Sequence, residues 1–477
     1  MSAPIPAPET LYTPTPAPPP LATLAKSPLR RKMHVLRNIL RTSRNFLNLY
    51  HPEIADHRWL ETWLRDEQVI SINDADLARH VLQANADNYV KGRFYEIIFG
   101  PFLGASSLTL EHDAWRTRRR LISPAFNARA MKGVEDVVIR HVEAMLSRWG
   151  ESLSLDGTAE IDLSADAAEL TMRIAMEAFF SADMGADPAR IARLMEGVIT
   201  DSGTIDFADV LQLPKWFPRR DRTEAFQQLA ELDAWLYALV DKRLGTRGQG
   251  EPEAPDLLDI LVHARDEETG EHLDRQAIRN EVLTLFAAGH ETTALSLAWG
   301  LDRLAREPDW QARLAEAARA AETEAGQPLD VAEARAVALL PAAYDEILRL
   351  YPPAFSVGRT AQAADRFEDL EIRPGARIQL AIHHIHRNPR YWDAPGRFDP
   401  TRFLPEGRKG RHPFAHIPFG GGPRICVGLA LARLEGLMTL ARALPRFRLE
   451  APGAPPKPLG KITLRTEAPV RLRIARR

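Results

Sequence analysis

Residues 419–428 read Phe-Gly-Gly-Gly-Pro-Arg-Ile-Cys-Val-Gly and contain Cys426, the only cysteine of the 477-residue chain. A lone cysteine is commonly a small buried side chain. Here three successive glycines let the backbone pass close to the sulfur and present N–H groups to it. The apolar spacing from Leu429 to Leu440 predicts a helix after this loop, and a helix N-terminus favours the thiolate. We therefore predict that Cys426 binds a metal.

The pattern Phe-x-x-Gly-x-Arg-x-Cys-x-Gly resembles the haem-binding loop of the cytochrome P-450 haem-thiolate monooxygenases. The resemblance implies that Cys426 is the proximal ligand of the iron in haem b (iron protoporphyrin IX), with Phe419 and Arg424 also binding the cofactor. It further implies a mainly α fold with small β-sheets, in which a large α-rich triangular domain carries a minor β region. Such enzymes are oxidoreductases that insert one oxygen atom of O₂ into an organic substrate.

A second motif lies in the longest helical pattern, from residue 274 to about 306, and reads Ala287-Ala-Gly-His-Glu-Thr-Thr293. Glycine and threonine weaken a helix centre, so we expect the helix to loosen or bulge there. The segment resembles the family's oxygen-binding helix, in which an acid and an alcohol relay protons. The resemblance gives these catalytic roles to Glu291 and Thr292. We interpret His290 as a structural residue, because only one side of the helix can face the iron.

The motif Glu346-Ile-Leu-Arg349 places opposite charges on one helix face. It resembles the family's ion-pair motif, in which a further arginine completes a buried network that supports the cysteine loop. Arg402 is the predicted third member, and Arg397 is the alternative. Loss of one member would leave its partners buried and uncompensated.

Haem carries two propionates, and buried anions need fixed cations and hydrogen-bond donors. By resemblance these come from Trp115 and Arg119, which are one helical turn apart, from Arg359, and from Arg424 in the cysteine loop.

Composition and the N-terminus narrow the functional class. The chain has 62 Lys and Arg against 64 Asp and Glu, so it lacks the basic bias of a nucleic-acid binder. Residues 1–27 are rich in proline and lack the apolar run of a signal peptide or transmembrane segment, so we predict a disordered arm. A single haem-thiolate monooxygenase domain is predicted for residues 28–477. One cysteine excludes an internal disulfide, and we expect a cytoplasmic monomer.

Periodicity predicts secondary structure elsewhere. Helices are predicted over 128–149, 164–181 and 224–246. A hairpin is predicted with Pro374-Gly375 between residues 367–372 and 378–382, and another strand pair at 461–465 and 470–474.

The substrate is predicted to be a hydrophobic small molecule of terpenoid, steroid-like or fatty-acyl type. By analogy the pocket walls come from residues 90–110, 205–218, 285–288, 353–357 and 459–462, which are mostly apolar. Their large side chains include Phe94, Ile97, Ile98, Phe99, Phe102, Leu103, Phe286 and Phe355. The segment 211–222, which has aromatic residues followed by arginines, fits either packing inside the protein or contact with a membrane surface.

Electrons are expected from separate proteins, because the chain shows no flavin or nicotinamide fingerprint. The resemblance implies a soluble, prokaryote-like form without a fused reductase, which uses a ferredoxin or flavodoxin and an NAD(P)H-dependent reductase. Arg116, Arg120, Arg408, Lys409 and Arg411 are candidates for a basic docking surface.

Two other functions remain open from sequence. A haem-thiolate peroxygenase or isomerase would bypass redox partners, but it would not need the Glu291-Thr292 relay. A non-catalytic haem sensor or carrier would be expected to have an output domain.

Overall fold

The computed structural model describes residues 45–50, 52–64, 66–181, 188–202, 216, 219, 221–245 and 255–477. The predicted proline-rich arm lies outside these residues, as does nearly all of the predicted wall segment 205–218. No helix in the described ranges is both long enough and apolar enough to cross a membrane.

Helices make up most of the described chain. They are α1 (Ala75–Arg79), α2 (Arg93–Leu103), α3 (His112–Ile122), α4 (Ala128–Glu151), α5 (Leu163–Phe180), α6 (Pro188–Ser202), α7 (Thr223–Leu244), α8 (Leu257–His263), α9 (Arg275–Ala305), α10 (Pro308–Ala325), α11 (Val331–Ala336), α12 (Leu339–Leu350), α13 (Ile382–Ile385), α14 (Pro405–Arg408) and α15 (Leu429–Ala443).

The long helices begin where the sequence places good N-caps. The Asp274 carboxylate accepts a hydrogen bond from Ala277 N over 2.7 Å at the start of α9, and Asn127 caps α4 in the same way. The helices predicted at 128–149, 164–181, 224–246 and 274–306 are confirmed as α4, α5, α7 and α9. The predicted bulge is wrong, because α9 is α-helical throughout. The Thr292 hydroxyl instead donates to Ala288 O over 2.7 Å without interrupting the helix.

The strands are short. They are β1 (Trp59–Leu64), β2 (Glu67–Ile72), β3 (Tyr89–Val90), β4 (Thr158–Asp162), β5 (Val357–Ala361), β6 (Asp365–Phe367), β7 (Leu370–Ile372), β8 (Arg377–Leu380), β9 (Phe447–Glu450), β10 (Pro458–Gly460), β11 (Leu464–Thr466) and β12 (Arg471–Arg476). A five-stranded sheet has the order β1-β2-β8-β5-β3, a three-stranded sheet has the order β4-β12-β9, and β6-β7 and β10-β11 form two-stranded sheets.

The predicted strand partners are wrong. Strand β7 pairs with β6 through a turn at Glu368, whose φ of 53° lies in the left-handed region. The strand after Pro374-Gly375 is β8, which pairs with β2 and β5 and buries Ile378 and Leu380. Strand β11 pairs with β10, whereas β12 pairs with β4 and β9. Alternation along the sequence identifies a buried strand face, but it does not identify the partner strand.

The chain folds as two compact units. The first comprises the described residues up to Val90, then 345–425 and 453–470, and it contains the five-stranded sheet. The second comprises 91–344, 426–452 and 471–477, and in it α9 packs along α5, with Phe286 against Phe179. The boundary in the cysteine loop falls between Ile425 and Cys426. The single domain predicted for residues 28–477 stays a prediction.

Candidate functional site

Cys426 lies two residues before Gly428, the N-cap of α15. Its side chain is exposed, yet protein atoms surround it closely enough that burial raises the pKa of its thiol. The Gly428 backbone N–H and the Arg119 guanidinium act in the opposite direction and are weaker. The prediction that local charge favours the thiolate is therefore wrong for the isolated thiol, because removal from water outweighs the nearby positive charge. Coordination of a metal cation would reverse this balance.

Two of the three loop glycines are required by close packing. A Cβ on Gly421 would lie 2.7 Å from Cε1 of Phe414. A Cβ on Gly422 would lie 1.7 Å from Leu82 O, and its φ of 67° also disfavours any other residue. The sequence interpretation assigned these glycines to N–H donation toward the sulfur, whereas the backbone donor to Cys426 is Gly428.

Arg119 lies in the second unit and is suited to binding an anion. It lies on α3 one turn after Trp115, which is buried. The Arg119 side chain makes no hydrogen bond or ion pair with any residue in the described part of the chain. Burial lowers its pKa, and Cys426 is the group whose charge acts on it. A half-buried cation without a carboxylate partner favours binding of a negatively charged group.

The other predicted cofactor residues lie in the first unit. Arg359 is on β5, is 7% exposed, and donates to Gly358 O over 2.8 Å. Phe419 and Arg424 are half-buried, and Arg424 ends a 3-10 turn that begins at Gly422. Their roles in cofactor binding stay predictions.

The residues present fit a haem group. Within the ranges that the structure describes, no group of three or more His, Cys, Asp or Glu side chains could hold a metal ion. Cys426 would supply one thiolate ligand to a metal, and a porphyrin would supply others. The Arg119 cation in the same unit fits a propionate of that group.

The centre of α9 has one open face and one packed face. A Cβ on Gly289 would meet no described atom within 4 Å, Ala288 is exposed, and Glu291 and Thr292 are half-buried. On the packed face, Nδ1 of His290 lies 2.9 Å from the Thr171 hydroxyl of α5.

Burial also lowers the pKa of His290 to about 4, so its ring is neutral at ordinary pH. These contacts agree with the interpretation of His290 as structural.

Glu346 and Arg349 form a fully buried ion pair in the first unit. Arg349 Nε and Nη2 donate to the Glu346 carboxylate over 2.6 and 2.8 Å, and both side chains are 0% exposed. Arg402 Nε lies 3.6 Å from Glu346 Oε1, whereas Arg397 contributes only its main-chain oxygen. The geometry thus brings together the three residues of the predicted network, with Arg402 rather than Arg397 as the third side chain.

The sequence interpretation missed Tyr344 in the second unit. Its hydroxyl lies 2.8 Å from the Ser296 hydroxyl of α9, one turn after Thr292. Its ring occupies the space beside Gly436 of α15, where a Cβ would lie 2.2 Å from the ring. Tyr344 therefore packs α9 against the helix that follows Cys426. The only signal in the sequence was a glycine inside an apolar helical pattern.

The predicted pocket walls need correction. The side chains of Ile98, Phe102, Leu103, Phe286 and Phe355 are each no more than 4% exposed, so they pack in the protein core. Phe94, Ile97 and Phe99 on α2 keep open surface, and Phe94 is 44% exposed.

The predicted basic docking surface also changes. Arg120 Nε binds the buried Asp266 carboxylate over 2.7 Å, and Arg408 binds Asp345 over 3.0 Å. The Arg411 guanidinium stacks on Trp392 at 4.1 Å, and burial lowers its pKa to about 10.

The remaining candidates, Arg116 and Lys409, also lie at the surface. Arg116 is 43% exposed and forms an ion pair of 2.6 Å with the exposed Asp113, and Lys409 is exposed. In the segment 211–222, Trp216 is 81% exposed, so packing inside the protein is wrong for this residue, and residues 211–215 lie outside the described ranges.

Comparisons with known proteins agree with one another. The family model described as Cytochrome P450 matches residues 41–472. Cyclooctatin synthase of Streptomyces melanosporofaciens is 29% identical over 400 residues, covering 83% of this chain and 84% of the relative. Leukotriene-B4 omega-hydroxylase 3 of Mus musculus is 29% identical over 425 residues, covering 85% and 80%.

The fold resembles solved structures. The cytochrome P450DA heme domain aligns with a TM-score of 0.74 and 24% identity, covering 88% of this chain and 89% of that one. Retinoic acid bound cyanobacterial CYP120A1 also aligns with a TM-score of 0.74 and 24% identity, covering 88% and 92%.

Proposed function

The chain belongs to the cytochrome P450 family and is a haem-thiolate monooxygenase, and we propose that it oxidises a hydrophobic organic molecule with electrons from a separate redox partner. Family membership confirms the predicted mainly α fold with small β-sheets, the haem cofactor and the monooxygenase activity. A cytoplasmic location and a monomeric state are further parts of the proposal.

The observation that carries the proposed site is the exposed Cys426 in the same unit as the half-buried Arg119, whose side chain has no hydrogen-bond or ion-pair partner among the described residues. Haem, when bound, supplies the iron at which dioxygen is activated. Cys426 would hold the iron, and Arg119, together with Trp115, Arg359 and Arg424, would hold the propionates. Replacing Cys426 with serine should abolish the thiolate-type spectrum of the reduced protein with carbon monoxide. An unchanged spectrum would contradict the assignment of Cys426 as the iron ligand.

We propose that Thr292 and Glu291 deliver protons on the open face of α9. The Thr292 hydroxyl keeps its position through the 2.7 Å hydrogen bond to Ala288 O, and Glu291 is half-buried one residue away. A hydroxyl that is fixed beside open space can pass on protons without admitting bulk water.

Thr292→Val keeps the shape of the side chain but removes its hydroxyl group, whereas Thr292→Ser keeps the hydroxyl. The valine variant should form less product per electron pair consumed, and the serine variant should retain more coupling. Equal coupling in the wild type and the valine variant would rule out this role.

The proposed substrate is a terpenoid, steroid-like or fatty-acyl molecule. Support comes from the apolar side chains on α2 that keep open surface, Phe94, Ile97 and Phe99. The mouse relative is named a leukotriene-B4 omega-hydroxylase. Titration with a panel of terpenoids, steroids and fatty acids should shift the haem spin state at micromolar to millimolar concentration. A response only to small charged molecules would contradict the proposal.

The proposed electron donor is an acidic ferredoxin or flavodoxin served by an NAD(P)H-dependent reductase. Among the predicted docking residues, Arg116 and Lys409 are exposed, and Arg116 pairs with the exposed Asp113. Reversing either to glutamate should slow reduction at low salt, and the difference should shrink as salt is added. Arg313→Glu, an exposed reversal on α10, is the matched control. Equal reduction rates for all three variants would refute these docking residues.

A further inference from the structure

We propose that His386 is a positioning residue that couples the buried Glu346–Arg349 pair to the start of the cysteine loop. His386 is 0% exposed, and its two ring nitrogens contact main-chain atoms of two separate segments. Nδ1 lies 3.2 Å from Arg349 O, and Ile417 N–H donates to Nε2 over 2.8 Å. All of these residues belong to the first unit.

The hydrogen bonds fix the tautomer of the ring. A backbone N–H can only donate, so Nε2 must be the unprotonated acceptor for Ile417. Nδ1 therefore carries the proton and donates a hydrogen bond to Arg349 O. The main chain of His386 is held as well, because Arg349 Nη1 donates to His386 O over 2.9 Å. With its main chain and both nitrogens engaged, the ring has one orientation.

The surroundings keep this ring neutral. Burial lowers the pKa of His386 to about 3, and the nearby cations Arg349 and Arg387 act in the same direction. His383 and His384, from the same segment, are also held neutral by burial. The acceptor at Nε2 is therefore present across the pH range in which such an enzyme works.

Ile417, which donates to His386, lies close in sequence to the cysteine loop. Ile417 is 4% exposed and lies two residues before Phe419, the first residue of the cysteine motif. The ring of its neighbour His416 packs against the rings of Phe403 and His386, with ring centroids 4.6 and 5.2 Å apart. The entry to the loop is thus fixed by one hydrogen bond and by ring packing. The Glu346–Arg349 pair fixes the other side of the same histidine.

The inference rests on the proposed role of Cys426, because a displaced loop entry matters only if the loop holds haem. His386→Phe keeps a ring and leaves both Ile417 N–H and Arg349 O buried without partners. His386→Gln offers one acceptor and one donor, and it can retain both bonds. His384→Phe is the matched control, because His384 is half-buried and its covered Nδ1 has no hydrogen-bond partner among the described residues.

The test measures hydrogen exchange of peptides spanning Ile417 in the holoenzyme, and the thiolate-ligated fraction of haem from the carbon monoxide spectrum of the reduced protein. His386→Phe should speed exchange at Ile417 by about tenfold to a hundredfold, the equivalent of one lost buried hydrogen bond, and lower the thiolate-ligated fraction. His386→Gln should restore much of both, and His384→Phe should leave both near wild type. Slow exchange in His386→Phe, or equal effects of both phenylalanine variants, would overturn the proposal.

The wild type provides a test that needs no variant. If His386→Phe fails to fold, slow exchange at Ile417 in the native holoenzyme supports the proposal, and rapid exchange overturns it. Failure of the Cys426 assignment is a separate result, because the wild type would then lack the thiolate-type spectrum altogether. Failure of the His386 inference leaves that wild-type spectrum intact.

Discussion

Replacing Glu346 with glutamine tests how much the buried ion pair stabilises the first unit. The substitution removes one negative charge and keeps the length of the side chain. Both side chains of the pair are 0% exposed, and the two hydrogen bonds between them measure 2.6 and 2.8 Å. Glu346 also accepts from Asp399 N over 2.8 Å, so the same carboxylate holds the segment that leads to Arg402.

The expected loss follows from the burial of Arg349. Glutamine offers one oxygen, and its amide N–H groups would face the guanidinium N–H groups, so one donor pair is left opposed. Removing one member of a buried pair costs about 3–5 kcal/mol, because the remaining charge is left without compensation. That loss is a large part of the roughly 5–15 kcal/mol that stabilises a folded protein.

An exposed pair of the same geometry provides the control. Arg275 binds Asp241 through two bonds of 2.6 and 2.8 Å, but both side chains are about half exposed, at 50% and 51%. Water and salt screen such a pair, so Asp241→Asn should lower stability far less. Urea unfolding of both holoenzymes, followed by fluorescence and haem absorbance, measures the difference. If the midpoints of Glu346→Gln and Asp241→Asn coincide, burial does not decide the strength of this pair.

Three further predictions concern single positions. Burial raises the pKa of Glu435 far above its ordinary value, and its Oε2 has no partner among the described residues. The folded state keeps a proton on Glu435 that the unfolded chain releases above about pH 4.3, so the stability of the wild type should fall as pH rises. In urea unfolding, Glu435→Gln should make stability depend less on pH. Parallel stability–pH profiles of the two proteins would contradict this. Gly422→Ala should lower haem content per protein, because its Cβ would lie 1.7 Å from Leu82 O, whereas Gly420→Ala shares the positive φ but meets no described atom within 4 Å. Equal haem contents would contradict that reasoning. Gly289→Ala should stabilise α9 by about 0.5–1 kcal/mol in urea unfolding, since no described atom lies within 4 Å of the added methyl group, and a loss of stability would show that the space is filled.

The sequence predicts helices well where one face repeats every three or four residues. The α4, α5, α7 and α9 patterns are long enough that the hydrophobic period specifies both type and position. Strand pairing was predicted less well, because alternation in β8 reports a buried face without its partners. Strand β2 lies far from β8 in the sequence, and β5 is separated from β8 by β6 and β7.

Electrostatic predictions failed for a related reason. The charge of Arg120 is balanced by Asp266, 146 residues away in sequence, so a local charge pattern cannot show that the arginine is paired. The thiol pKa of Cys426 depends on how many protein atoms surround it, which no local motif reports. His386 was missed because the atoms that bind it lie 37 and 31 residues away in sequence.

The structure separates two demands that the cysteine motif combines. Packing alone accounts for Gly421 and Gly422, since Phe414 and Leu82 occupy the space where their side chains would be. Packing does not account for Cys426, which stays exposed although burial raises its thiol pKa. Nor does it account for Arg119, which is half-buried without an anion from the described chain. The proposed iron porphyrin would use both residues, with Cys426 on the iron and Arg119 on a propionate. Gly421 and Gly422 therefore shape the loop, whereas the proposal gives haem binding to Cys426 and Arg119.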